Sequence, residues 1–267
     1  MSFSLTYFNG RVATAEDLAP LAFTGYSHFT AMQVRDRSVK GLDLHLSRLQ
    51  TASSLLFDQH LPDSQVREYL RVAIEAAPPD SSVTCFLASR PGEFMPAGPA
   101  SALDVLIKVV EPADPPAAPM AFDVARHERH LPQIKHVGEV SKTFYLRRAN
   151  ARGFDDAAFE DGAGRISEGT IWNLAFWDGE SVIWPEADVL SGVTMQILVR
   201  QLEARGIPQQ TLPVRQLDLT EGISAAAMNS WTPGIPLTRL GDHQLKNDSA
   251  FTRLLHDVYD AEPLVRI

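Results

Sequence analysis

The chain has 267 residues, of which 45% are apolar and 21% are charged. That length is enough for one large or two modest domains with a substantial core, and the composition is typical of a soluble globular protein. The net charge of −9 argues against nucleic acid or an anionic membrane as the main partner, because both bind to broad basic surfaces.

The cellular compartment is predicted from the cysteine content and the absence of long apolar runs. Cys85 is the one cysteine, so it cannot form an internal disulfide, and its apolar neighbours predict a small buried side chain. No apolar run approaches the ~18 residues of a membrane span. The first residues do not resemble a signal peptide either, and the cytoplasm is therefore the predicted location.

The first half of the chain is predicted to be an α+β unit. Asn9-Gly10 is a strong hairpin signal between strands at 4–8 and 10–14. Further strands are predicted at 29–34, 38–42, 82–88 and 102–110, and helices at 44–56 and 63–77. The helical period of the first helix predicts one apolar face made of Leu46, Leu49, Ala52, Leu55 and Leu56.

A proline-rich segment divides the sequence. Residues 111–119 contain four prolines in nine positions, which favours an extended connector. We therefore predict a smaller N-terminal α/β domain over 1–110, a linker over 111–119 and a larger C-terminal domain over 120–267. The larger domain is predicted to have strands at 155–160, 170–177 and 181–185, and helices at 142–152, 194–205 and 249–259.

Lys135 and Glu168 lie 33 residues apart and have the two side-chain types that a pyridoxal phosphate (PLP) enzyme needs. The amine forms a Schiff base with the cofactor aldehyde, and the carboxylate keeps the pyridine nitrogen protonated. In a chain with 24 basic and 33 acidic residues, such a pair is by itself equally typical of an ordinary surface.

Other residues have the chemistry of a phosphate site. Gly192 and Thr194 precede a predicted helix, whose first N–H groups and dipole attract anions, with Thr194 as the predicted cap. Arg48 and Ser230 could add a cation and a hydroxyl group. A ligand-free helix cap, a solvated arginine and a turn serine are the structural alternatives.

A histidine-rich stretch raises the possibility of a metal site. His127 and His130 are three residues apart, whereas a zinc-binding helix uses a spacing of four, and Pro132 argues against a helix there. We interpret His127, His130 and His136 as partly exposed loop residues and predict no metal site.

In chain order, the short motifs resemble the fold-type-IV PLP enzymes, that is, the class IV aminotransferase family. This family contains branched-chain and D-amino-acid transaminases and aminodeoxychorismate lyase. The resemblance covers nearly the whole chain and is carried by Phe29-Thr30, His45-x-x-Arg48-Leu49, Ile134-Lys135-His136, Arg152-Gly153-Phe154-Asp155-Asp156-Ala157, Ser167-Glu168-Gly169 with Asn173, Leu190-x-Gly192-Val193-Thr194, and Asn229-Ser230 with Pro236.

The resemblance implies a two-domain α/β (α+β) fold, pyridoxal 5′-phosphate as cofactor in the cleft between the domains, and a homodimer. It implies that Lys135 is the Schiff-base lysine and that Glu168 is the partner of the pyridine nitrogen. The other cofactor-binding residues that it implies are Arg48, Asn173, Val193, Thr194, Ser230 and Trp231.

Lys142 is the competing lysine. In the family the Schiff-base lysine precedes the glycine of a Gly-x-Asp-Glu-Ala segment by about eighteen residues. That glycine is Gly153 here, and Lys135 meets the interval whereas Lys142 does not. Lys142 also falls within a predicted helix, where a long side chain is usually solvated.

The substrate is less well defined by the sequence. Tyr26, His28, Phe29 and Arg90 could line its pocket, with Arg90 holding a substrate carboxylate. Packing at strand ends or a surface location remains an equal alternative for these residues.

Three hypotheses about the function remain open. We predict a transaminase that moves an amino group from an amino acid or amine to a 2-oxo acid. Aminodeoxychorismate lyase is the second hypothesis: Ile134-Lys135-His136 resembles the lyases, whereas Ala31 replaces a hydroxyl residue that they carry. Val140 stands where branched-chain enzymes have tyrosine, and Met195 replaces a common arginine. A PLP-binding or scaffold protein without activity is the third hypothesis.

Overall fold

The computed structural model describes residues 3–22, 24–90, 94 and 102–267. Contacts between residues divide the chain into two units. The first unit consists of the residues up to Asp114 together with Ile134–Gly138 and Pro263–Ile267, and the second consists of Pro115–Gln133 and Glu139–Glu262.

Strands and helices are interspersed along the described residues, and short 3₁₀ turns lie at Ala19–Leu21 and Gln216–Asp218. The elements up to the proline-rich segment are β1 Ser4–Phe8, β2 Arg11–Val12, α1 Ala15–Leu18, β3 Ser27–Val34, β4 Ser38–Lys40, α2 Leu42–Phe57, α3 Asp63–Glu75, β5 Ser81–Ser89 and β6 Leu103–Val110. The elements after it are β7 Met120–Arg126, α4 Val140–Ala151, β8 Asp156–Glu160, β9 Ile166–Gly169, β10 Asn173–Trp177, β11 Val182–Pro185, α5 Val193–Ala204, β12 Gln209–Leu212, β13 Ser224–Asn229, β14 Thr232–Leu240, β15 His243–Gln244, α6 Ser249–Asp260 and β16 Leu264–Arg266.

The first unit contains an antiparallel sheet with the strand order β2-β1-β6-β5-β3. Asn9 and Gly10 have φ values of 48° and 82°, as the predicted two-residue hairpin requires. Phe8 pairs with Arg11 across this turn, so the hairpin prediction is confirmed.

Helices α2 and α3 supply much of the core of the first unit. Leu46, Leu49 and Ala52 are buried as the helical period predicts, but Leu55 is 52% exposed, so the prediction for that residue is wrong. Leu42 and Phe57 at the two ends of α2 are buried as well. The buried face is therefore rotated slightly from the one that the leucines suggest.

A short segment from the second half of the sequence belongs to the first unit. His136 forms a β-bridge with His28, the Phe29 amide donates to the Lys135 carbonyl at 2.9 Å, and the Val137 amide donates to the Ser27 carbonyl at 2.9 Å. The sequence predicts two continuous domains, whereas these backbone hydrogen bonds attach Lys135 to strand β3.

The second unit is built on a mixed sheet with the order β12-β11-β10-β13-β14-β7-β8-β9, with β15 paired to β14. The pairs β11–β12, β14–β7 and β7–β8 are parallel. Apolar residues of α5 and α6 pack with sheet residues in one core cluster, and Ala149 of α4 packs with residues of β8 in another. The sequence prediction missed β9, which contains Glu168.

Several other predictions are confirmed. Residues 111–119 form neither helix nor strand, and Gly153 follows α4 with φ 84°, as expected of a helix-ending glycine. Cys85 is buried, which raises the pKa of its thiol to about 12.

Within the described ranges, no helix is both long enough and apolar enough to cross a membrane.

Leu70 and Leu55 provide a test of the α2–α3 core. Leu70 in α3 is 0% exposed, so Leu70→Ala should lower the free energy of unfolding by about 2–5 kcal/mol through lost burial and a residual cavity. Leu55→Ala should cost less than about 0.5 kcal/mol. Urea unfolding followed by circular dichroism measures both, and equal losses would contradict the assignment of the two faces.

Candidate active site

Glu168 lies in β9 with its carboxylate almost fully buried. Its Oε1 lies 3.2 Å from Arg129 Nη1 and 3.9 Å from Lys142 Nζ. Its Oε2 accepts a hydrogen bond from the Leu190 amide at 3.1 Å. Two cationic neighbours and a backbone donor therefore compensate for the burial of this carboxylate.

Glu139 completes a group of four charged residues, which we call the charge cluster: Arg129, Glu139, Lys142 and Glu168. Arg129 Nη2 lies 3.4 Å from Glu139 Oε1. The side chains of Arg129 and Lys142 are only 2% and 14% exposed. Two positive and two negative charges therefore balance within the second unit, as buried charges usually must.

The prediction that Lys142 is solvated is wrong. Lys142 lies in the first turn of α4, and its side chain is directed towards Glu168. Burial is the main cause that lowers its pKa, and the neighbouring Glu168 opposes this shift. Such a desolvated lysine beside a carboxylate is typical of functional sites, although structural ion pairs also produce it.

A second buried carboxylate belongs to Asp156 at the start of β8. Burial raises its pKa, while hydrogen bonds from Thr170, the Ala157 amide and Trp172 oppose the rise. Thr170 Oγ1 donates at 2.6 Å and Trp172 Nε1 at 2.8 Å. Asp156 therefore fixes the loop that joins β9 to β10, next to Glu168.

Helix α5 begins at Val193, with Gly192 rather than Thr194 as its N-cap. The prediction of Thr194 as the cap is wrong, because the Thr194 hydroxyl donates to the Asn229 carbonyl at 2.8 Å. Among the described residues, no side chain caps this helix. The helix start therefore has the backbone donors and the dipole of an anion site.

Asn173 shows why residue 192 is a glycine. The Asn173 side-chain amide donates to the Leu190 carbonyl at 2.7 Å, and a Cβ atom on Gly192 would lie 2.0 Å from Asn173 Oδ1. Glycine is thus required for this close approach. Leu190 binds Glu168 through its amide and Asn173 through its carbonyl.

Ser230 and Trp231 form the turn between β13 and β14. The Trp231 amide donates to Asn229 Oδ1 at 2.8 Å, and the Trp231 ring lies 6.0 Å from that of Trp172. Contacts through Leu190, Gly192 and Asn229 thus link the predicted cofactor residues of the second unit, which are Glu168, Asn173, Val193, Thr194, Ser230 and Trp231.

The other predicted site residues lie in the first unit. Lys135 Nζ lies 4.9 Å from the centroid of the Phe29 ring, close enough for a cation–π contact. Arg48 is half-buried in α2. Burial, and secondarily the Arg48 charge, lowers the pKa of His45 to about 3, and His45 is hydrogen-bonded to Thr30 at 2.6 Å.

The predicted substrate residues have different surroundings. His28 is 0% exposed and hydrogen-bonded to Ser53 at 2.8 Å, which favours the packing alternative for this residue. The Tyr26 hydroxyl donates to the Leu56 carbonyl at 2.9 Å. Arg90 forms an ion pair with Asp104, so its charge already has a carboxylate partner.

The sequence did not indicate that Arg129, Glu139 and Lys142 form a charged cluster with Glu168. Arg129 lies within the histidine-rich stretch, and in the described part of the chain no group of three or more His, Cys, Asp or Glu side chains is placed to hold a metal ion. A helical period was available for Lys142: it is three residues before Tyr145 and seven before Ala149, and both of these pack against β8. Positions with this spacing share a helix face.

A buried carboxylate beside the start of a helix, on a mixed sheet, is an arrangement that could hold a cofactor carrying both a cationic and an anionic group. The family model for amino-transferase class IV matches residues 27–240. The chain belongs to this family, the fold-type-IV PLP enzymes. Among curated proteins, none matches the chain in sequence.

Solved structures agree on the fold. The branched-chain amino acid aminotransferase of Escherichia coli is 16% identical over 97% of this chain and 94% of that chain, with a TM-score of 0.82. A hypothetical aminotransferase from Mycobacterium tuberculosis in its PLP-bound form is 20% identical over 97% and 98%, with a TM-score of 0.78. A putative 4-amino-4-deoxychorismate lyase from Legionella pneumophila is 16% identical over 88% and 91%, with a TM-score of 0.76.

The buried histidine predicts an acid-sensitive first unit. Burial lowers the pKa of His28 from 6.5 to about 4, so the folded state keeps His28 neutral while the unfolded chain takes up a proton. Stability present above pH 6.5 is therefore lost as the pH falls towards 4, by about 3 kcal/mol for this residue.

The test compares His28→Gln with His60→Gln, a change at an exposed histidine, by urea unfolding from pH 7.5 to 4. We expect the acid loss of stability to shrink in the first variant and to be retained in the second. The same acid loss in His28→Gln and in the parent protein would contradict the assignment.

Proposed function

We propose that this chain is a PLP-dependent aminotransferase that moves an amino group from an amino acid or amine to a 2-oxo acid. The observation that carries the proposal is the buried Glu168 carboxylate, which Leu190 links to the start of α5. Membership of the class IV family supports the same reaction type. The cofactor is pyridoxal 5′-phosphate, and the active form is a cytoplasmic homodimer.

The residues present fit this cofactor. The Val193 and Thr194 amides lie in the first turn of a helix of twelve residues that has a glycine as its N-cap, which suits a phosphate group. The family resemblance adds Arg48 and Ser230 with Trp231 to the residues proposed to bind the phosphate. Asn173 holds the Leu190 carbonyl and so maintains the segment that leads into this helix.

Glu168 would accept a hydrogen bond from the ring nitrogen and would stabilise its protonated form. When bound, PLP supplies an electron-withdrawing ring that labilises the bonds at the substrate α-carbon. Lys135 would hold the cofactor covalently, and its free amine would serve as the base that moves the substrate α-proton. Donor and acceptor use one site in turn, so ping-pong kinetics are expected.

Absorbance of the purified protein tests the roles of the two lysines. The parent protein with PLP should show a band at ~410–420 nm from the cofactor bound to a lysine, and Lys135→Ala should abolish it. Lys142→Met should keep the band, because Lys142 contacts Glu168 directly and leaves no space for the ring between them. Lys246→Ala, a change at an exposed lysine, is the control.

A band that survives in Lys135→Ala but disappears in Lys142→Met would reverse the assignment of the two lysines. A protein that takes up no added PLP would contradict the enzyme hypothesis and leave the scaffold alternative.

Aminodeoxychorismate lyase is the second candidate function, favoured by the lyase-like sequence Ile134-Lys135-His136. Half-reactions with amino donors, followed by 2-oxoglutarate or pyruvate, should convert the cofactor band in both directions if the protein is a transaminase. Pyruvate released from aminodeoxychorismate without any amino acceptor would overturn that preference.

A further inference from the structure

Two cations of the charge cluster approach the same carboxylate oxygen, whereas an ordinary ion pair has one cation. Arg129 and Lys142 both approach Oε1 of Glu168, at 3.2 and 3.9 Å, whereas Oε2 is bound by the Leu190 amide. A carboxylate has about four acceptor positions, so these contacts leave capacity for another donor. The proton affinity of such a carboxylate depends strongly on its neighbouring charges.

We propose that Lys142 is a positioning residue that lowers the proton affinity of Glu168 and, through it, that of the cofactor ring nitrogen. The inference deepens the proposed function and rests on the pairing of Glu168 with that nitrogen. Lys142 acts through Glu168 and forms no covalent bond to the cofactor.

The other charged and titratable groups around Glu168 have different roles. Arg129 is the second cation beside Glu168, and Glu139 faces Arg129 at 3.4 Å. Burial lowers the pKa of His127 and thus favours its neutral form. Asp156 acts on Lys142 as a further negative charge. Lys142 is the cation of the charge cluster that can lose its proton in the alkaline range.

Coulomb's law gives the direction of the effect. A positive charge beside Glu168 makes it harder to add a proton to the pair formed by the carboxylate and the ring nitrogen. Removing that charge should raise the pH at which the bound ring loses its proton, by about one pH unit at the distances involved. A residue that serves only to fill space would produce no such shift.

The experiment uses 4-deoxypyridoxine 5′-phosphate, which has no aldehyde and cannot bond to Lys135, so its ultraviolet spectrum reports the protonation of the ring without a contribution from a Schiff base. Lys142→Met keeps the length of the side chain and removes its charge, and Lys142→Arg restores the charge. Lys246→Met is the matched control, since Lys246 is half-exposed and pairs with Asp248 at 3.1 Å.

We expect the ring titration to move up by about one unit in Lys142→Met and by no more than a few tenths in Lys142→Arg and Lys246→Met. An unchanged titration in Lys142→Met overturns the inference. Loss of probe binding in that variant also overturns it, because a residue that only tunes the carboxylate leaves the ring bound. Failure of the parent protein to bind the probe and PLP would instead contradict the proposed function.

A second readout needs no cofactor. In the cofactor-free protein, thermal midpoints of Lys142→Met, Glu168→Gln and the double variant form a double-mutant cycle. We expect the double variant to lose less than the sum of the single losses, since each single change leaves a buried charge poorly compensated. Additive losses contradict direct coupling between the two residues and therefore the inference.

Discussion

The buried carboxylate of Glu168 is the constraint on which the second unit depends. Taking this charge out of water is costly, and Arg129, Lys142 and the Leu190 amide together compensate for it. Each compensating group comes from a different part of the chain: the segment after β7, helix α4 and the loop before α5. The two ion pairs and the hydrogen bond therefore also fix where these three parts meet β9.

The backbone of Leu190 connects this electrostatic requirement to the geometry of α5. Its amide donates to Glu168 and its carbonyl accepts from Asn173, so the peptide groups on both sides of the Leu190 Cα are fixed. Asn173 in turn leaves no space for a Cβ atom at residue 192. The start of the helix is held by backbone contacts and by a glycine, and this leaves its first turn without a capping side chain among the described residues.

Much of the fold could be predicted from the sequence because it depends on local patterns. The Asn9-Gly10 turn, helices α2 to α6 and the strands around 81–110 follow from turn chemistry and periodicity. Strand β9 was missed because Ile166–Gly169 is short and buried on both faces, which gives no alternating pattern. Leu55 was misplaced because a leucine at the correct period can still face solvent.

The candidate site could be approached from the sequence only in part, and the reason is physical. Motif order predicts Lys135, Glu168 and the segment before α5 as site residues, whereas the surroundings of Glu168 depend on non-local contacts. Arg129 is 39 residues from Glu168 and Lys142 is 26 residues from it, and neither separation has a characteristic period. Compensation of a buried charge is decided by tertiary contacts, so only the spacing of Lys142 to Tyr145 and Ala149 indicated its direction.

The first unit is assembled from distant segments of the chain, and this has a consequence for synthesis of the protein. Strand β4 pairs with β16, so this two-stranded sheet cannot form until the whole second unit has been translated. The segment 134–138 likewise joins β3 after a delay of about a hundred residues. The first unit therefore emerges from the ribosome incomplete, and its exposed backbone edges are those that a chaperone would need to protect.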